Sequence, residues 1–158
     1  MNEYLLRLIQ IYKQKGLLVD TNILLLYIVG TMDINLIGNF GRTAKFTEKD
    51  FYLVSKFVDY FDIKVTTPHI LTEVSNLLGN RKQLQFALGK YIGLTEEKFL
   101  ESKQIAETKT FLQFGLADAA LSETAKSSYL VVTTDNPLFG YLISQKIDVV
   151  SLDQIRAI

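Results

Sequence analysis

The sequence predicts an α/β fold: a three-layer α/β/α sandwich around a central parallel sheet of about four strands. Three observations carry this. Four short β-rich runs, at residues 17–20, 63–66, 129–133 and 148–151, are each bounded by turn or capping residues. Long helical patterns separate them, as expected where crossover helices join parallel strands. The chain has 158 residues and no internal repeat or Pro/Gly/Ser-rich linker, which suits one domain over 1–158.

Each element has its own local reason. Leu5, Leu6, Leu8, Ile9 and Tyr12 form an apolar stripe, predicting a helix within residues 1–14 ahead of the first strand. Leu17-Leu-Val-Asp20 is that strand, and the apolar residues after it read as a buried helix. Residues 30–47 hold three glycines with Arg42 and Lys45, and are expected to be a mobile insertion. Thr47-Glu-Lys-Asp50 resembles a capping box, followed by Phe51, Val54, Phe57, Val58 and Phe61 at helical spacing. Thr67-Pro68 places a hydroxyl cap before a proline at the first helical position, with Ile70, Leu71, Val74, Leu77 and Leu78 on one face behind it. Leu84, Ala87, Leu88, Tyr91 and Ile92 make another stripe, and Thr95-Glu96-Glu97 is expected to open a less regular helix. An Ala-rich helix over 117–126 leads into the third strand, and Asn136-Pro137 opens a helix reaching about Gln145.

Composition removes whole classes of chemistry. Hydrophobic residues make up 48% and charged residues 22%, enough for a core and too ordered a balance for a disordered chain. There is no cysteine and one histidine, His69, so disulfides, zinc ribbons, thiol nucleophiles and multi-histidine metal sites are excluded. The cysteine count suits a reducing cytosol. The start lacks a basic leader region, and the most hydrophobic window carries Asp20 and Asn22 and falls short of the roughly 20 residues a span needs. A cytoplasmic protein with no membrane contact is therefore expected. No Gly-rich phosphate loop exists, and the dehalogenase-type pattern of two aspartates two residues apart fails because residue 22 is Asn.

What remains is carboxylate chemistry. Ligands of an open parallel sheet bind beyond the carboxyl ends of its strands. Asp20 closes the first strand there and Asp135 follows the third. Asp118 precedes the third strand, but a ten-residue helix climbs about 15 Å and the strand returns about 16 Å, which brings Asp118 back level with that edge. Glu73 sits five residues into the helix that begins at Pro68, about 7.5 Å along it, and reaches the edge only if the helix leans over. Crowded carboxylates repel unless a cation compensates, and a hard divalent ion is the usual partner. Setting these four acids aside leaves 17 cationic residues against 13 acidic ones, a frame able to accept a phosphodiester backbone.

Val19-Asp20-Thr21-Asn22 after a hydrophobic strand, Glu73 in Thr-Pro-x-x-x-x-Glu-Val, Asp118 in Gly-Leu-Ala-Asp-Ala-Ala, and Thr134-Asp135 after Val-Val-Thr together resemble the PIN domain. The resemblance runs from about residue 17 to 152. It implies a metal-dependent endoribonuclease, with many small relatives acting as VapC-type toxins of toxin–antitoxin pairs. On that resemblance Asp20 and Asp118 bind Mg²⁺ or Mn²⁺ directly, while Glu73 and Asp135 complete the site through water or a second ion. Asn22 and Thr134 match the family's supporting polar residues. RNA as substrate, an antitoxin partner and a homodimer are implied as well. The helix before the first strand and the stretched interval between Asp20 and Glu73 set this chain apart from the small toxins.

Ordinary explanations stand beside these. Asp20 and Asp135 suit helix caps, Asp118 suits a first helical turn, and Glu73 suits a solvated face. Thr21 reads as a backbone hydrogen-bonder and His69 as a structural or surface residue. Arg42, Lys45, Arg81 and Lys82 are candidate contacts for RNA phosphate, the last two equally compatible with a solvated helix face. A binding or assembly module on the same scaffold, weak in catalysis, is the alternative function.

Overall fold

In a computed structural model, which describes residues 3–126 and 128–158, the chain folds around a five-stranded, wholly parallel sheet. The first helix, α1 (Glu3–Tyr12), precedes β1 (Leu17–Val19). Residues 1 and 2 of the expected 1–14 segment lie outside the described residues. After β1 come α2 (Thr21–Met32), two 3₁₀ turns (Ile34–Asn39 and Gly41–Thr43), α3 (Glu48–Tyr60), β2 (Lys64–Thr66), α4 (Pro68–Leu78), α5 (Lys82–Ile92) and β3 (Glu96–Glu97). Then follow α6 (Ser102–Ala106), α7 (Lys109–Phe114), α8 (Leu116–Ala125), β4 (Leu130–Thr133), α9 (Asn136–Ser144), β5 (Val149–Ser151) and α10 (Leu152–Arg156). The strand order is β3-β2-β1-β4-β5, and helices flank the sheet in the expected three layers.

Sheet and helices are built as the residue pattern dictates. The β1, β4 and β5 residues are all buried, as they must be in a parallel sheet covered on both faces. Leu18 pairs with Val65 on one side and Val131 on the other, so β1 is the central strand. The chain leaves β1 toward β2 and β3, and later adds β4 and β5 on the other side. That reversal opens a crevice at the carboxyl end of β1 and β4. The helix starts are capped as expected: Thr47 and Asp50 exchange bonds in a capping box, and Thr67 accepts from the Ile70 N–H ahead of Pro68. In α9 the cap is Asp135, with Asn136 as the first helical residue and Pro137 behind it.

Two expectations fail. Glu96 and Glu97 do not open a helix. They form the edge strand β3, pairing with Val65 and Thr66, and the Lys98 N–H continues the ladder to the Thr66 carbonyl. Two acidic residues carry no apolar alternation, so nothing but the neighbouring strand selects their conformation. The 30–47 stretch is not a mobile loop either. Ile37, Phe40 and Phe46 join the core, and the buried Thr43 hydroxyl bonds the Ile37 and Phe40 carbonyls at 2.9 and 2.8 Å. Three apolar anchors within ten residues outweigh the glycines. No helix among the described residues is long and apolar enough to cross a membrane.

Candidate functional site

Asp20 is placed by two elements at once. As N-cap of α2 its Oδ1 accepts the Ile23 N–H at 2.7 Å. Its Oδ2 accepts the Thr133 hydroxyl from the end of β4 and the Thr134 N–H at 3.0 Å. The side chain is only 3% exposed. The cap explanation is thus correct, and it also pins one carboxylate at the junction of β1 and β4. Asp135 is held the same way: its Oδ1 accepts the Leu138 N–H at 2.8 Å, and its own N–H bonds the Thr133 hydroxyl. Glu73 does lean over the edge, its Oε2 accepting the Thr21 hydroxyl at 3.0 Å.

Asp118 is delivered by the turn between α7 and α8. Gly115 sits there at φ +86°, a left-handed conformation that a side chain would strain, and α8 begins with Asp118 in its first turn. Asp20, Glu73, Asp118 and Asp135 then line one open cleft of about 690 Å³, together with Thr21, Asn22 and Arg42. Burial, and after it the charges of Asp20, Glu73 and Asp135, push the Asp118 carboxyl from its ordinary 3.8 up to about 7. Burial also raises Asp20, against the opposing pull of its three hydrogen bonds. Among the described residues none of the four has a lysine or arginine as ion-pair partner.

This donor set suits a hard divalent cation: all oxygen, several negative charges, and one carboxyl already driven up by burial and, after it, by the other three. Among the described residues no three acidic or histidine side chains stand close enough to grip an ion together. Magnesium does not need that, since it keeps several waters and takes one or two carboxylates directly.

The remaining sequence candidates separate. Asn22 and Arg42 reach the cleft. Lys45 does not: it lies over the Phe46 ring at 5.1 Å and lines a smaller adjoining hollow with Thr134 and Asn136. Arg81 stacks on Phe40 at 5.0 Å, and with Lys82 borders a separate hollow beside Met32 and Asp33. Thr134 reaches the site through its backbone N–H, which bonds Asp20, while its hydroxyl is buried without a partner and the hydroxyl that bonds Asp20 is that of Thr133. Thr133 is the last residue of β4, whereas Thr134 lies past the strand in the bend that leads to α9, so the two hydroxyls are presented differently. The signal that could have found Thr133 was its place at the carboxyl end of the β4 run, and for Thr21 its place next to Asp20. His69, expected to be a structural or surface residue, lines the cleft and pairs with Ser102.

Compared with known proteins, the chain matches no family model and resembles no curated protein significantly.

Proposed function

We propose that this chain is a divalent-metal-dependent endoribonuclease of the PIN type. The observation that carries the reading is the gathering of four carboxylates from four separate stretches of sequence onto one cleft at the carboxyl end of the sheet. Helix caps alone do not require that convergence. Asp20 and Asp118 would hold Mg²⁺ or Mn²⁺, with Glu73 and Asp135 completing the site. A bound divalent ion neutralises phosphate charge and makes a neighbouring water a better nucleophile.

The chain's own residues set up that chemistry. Thr133 and two backbone N–H groups fix the Asp20 carboxylate, so it costs no reorganisation when substrate arrives. Thr21 orients Glu73. Asp118 shares a proton with solvent near neutral pH and must release it before binding a cation. The toxin form of this reading adds an antitoxin that quenches the enzyme, a homodimer and a cytoplasmic site of action.

A second reading, the binding module, is favoured by one observation: among the described residues no three acids stand close enough to grip an ion together. One experiment separates the two. A labelled, mixed-structure RNA is incubated with the protein in Mg²⁺, Mn²⁺ or EDTA, beside an Asp20→Asn/Asp118→Asn double variant purified identically. Metal-dependent cleavage that vanishes in the variant is expected. Retention of RNA without cleavage would favour the module.

A further inference from the structure

The cleft is larger than a cation requires. At roughly 30 Å³ per water, an ion with six waters fills about 200 Å³, well under the 690 Å³ available. Part of the surplus is walled by polar groups that do nothing for the carboxylates, and part by apolar residues such as Phe114 and Leu116. On α4, His69, Thr72, Glu73 and Asn76 fall at i, i+3, i+4 and i+7, and all four line the cleft. This stripe spans about 10 Å of helix, with Glu73 inside it and uncommitted hydrogen-bonding groups on either side. Thr72 and Asn76 are exposed, and among the described residues their side chains make no hydrogen bond. Toward the start of α4, His69 Nε2 lies 2.9 Å from the Ser102 hydroxyl, and both residues border the cleft.

Arg42 adds the second observation. It is exposed on the same cleft as four carboxylates, yet among the described residues it pairs with none of them. Its backbone is fixed by the buried Thr43 beside it. An exposed cation on an anchored stretch of backbone, near acids that it does not pair with, is available to an anion brought from outside. An anion beside Arg42 and a planar, multiply hydrogen-bonding group against α4 are the two halves of a nucleotide.

Resting on the nuclease reading, we propose that the polar face of α4 is a base-reading surface. His69 with Ser102, and Asn76 on the far side of Glu73, hydrogen-bond the nucleobases flanking the scissile phosphate, and Arg42 holds the neighbouring phosphate. The chain therefore selects its cut by base identity at those flanking positions.

The test measures binding and cutting separately. In an Asp118→Asn background, anisotropy with four fluorescent RNA octamers, each a single-base homopolymer, gives an affinity for every base. His69→Ala and Asn76→Ala should each weaken the best-bound octamer about tenfold and the others less, narrowing the spread. Arg42→Ala should weaken all four alike and flatten the salt dependence by about one unit of slope. In the protein with Asp118 restored, the same two α4 variants should broaden the base preference at the cut in a mixed RNA. Melting temperatures within a few degrees of the host establish folding, and variants at two separate positions, half-buried His69 and exposed Asn76, guard against one misfolding. An unchanged spread in both α4 variants overturns the proposal, as does absence of binding to every octamer. Metal-dependent cleavage by the unmodified protein is scored independently, so the nuclease reading can survive either result.

Discussion

Replacing Asp118 by asparagine should make the metal-free protein more stable at pH 8. The Asp118 carboxyl rises from 3.8 to about 7 on folding, so the folded chain holds that proton more tightly than the unfolded one. Its contribution to stability is therefore best at low pH and is lost as pH rises from the unfolded value through about 7. A rise of about three units corresponds to roughly 4 kcal/mol at full ionisation. Two effects reduce what Asn regains. Its amide also loses some hydration in the same place, and the favourable charge in the first turn of α8 disappears at a cost of about 0.5 kcal/mol. A net gain of about 2 kcal/mol remains, or roughly 4–8 °C in a domain of this size. Thermal melts in EDTA at pH 5 and pH 8 measure it: the variant should lead clearly at pH 8 and hardly at pH 5. The Mg²⁺-induced rise in melting temperature should be absent from the variant. A variant less stable at pH 8, or equally favoured at both pH values, would refute the electrostatic reasoning and leave Asp118 as a helix-start residue.

Three further outcomes follow from the packing and hydrogen bonding. Thr133→Val should cost about 2 kcal/mol in urea unfolding, because the buried Asp20 loses a donor, whereas Thr134→Val should be neutral or stabilising because its hydroxyl has no partner. Equal effects would dissolve the distinction between them. Gly30→Ala should destabilise by about 1–3 kcal/mol, since a Cβ there would enter the Phe51 ring, and Phe51→Leu should restore much of the loss. Arg156→Ala should cost about 2 kcal/mol at pH 7, because Arg156 bonds the buried Asp50 at 2.8 and 3.1 Å and holds its carboxyl below the usual range. That contribution exists above the ordinary carboxylate pKa and fades as pH falls through the lowered value, so urea midpoints of variant and parent should converge below about pH 4.

The parts of this molecule that could be read from residues are those where local chemistry and tertiary packing agree. Capping boxes, cap-plus-proline starts and apolar strand runs specify the same structure at both levels, so four strands and the level of Asp118 with the sheet edge could be inferred. Glu96-Glu97 is a strand only because β2 offers it a ladder, which no local pattern announces. The three glycines of 30–47 suggested a loop, but the widely spaced Ile37, Phe40 and Phe46 anchor it, and that placement is a long-range property. Asp20, Asp118 and Asp135 were legible from topology, and Glu73 only from a family likeness. Which cation faces the acids was not legible, since Arg42 and Lys45 differ by three residues and face different hollows.

The pairing of Leu18 with Val131 has a consequence in time. The central strand lies early in the chain, and its second neighbour is more than a hundred residues later. During synthesis β1 waits with one side open until β4 has been made. Contacts of such sequence separation also form slowly. The cleft cannot gather its four carboxylates before residue 135 exists, so the four acids meet only late in the chain's synthesis.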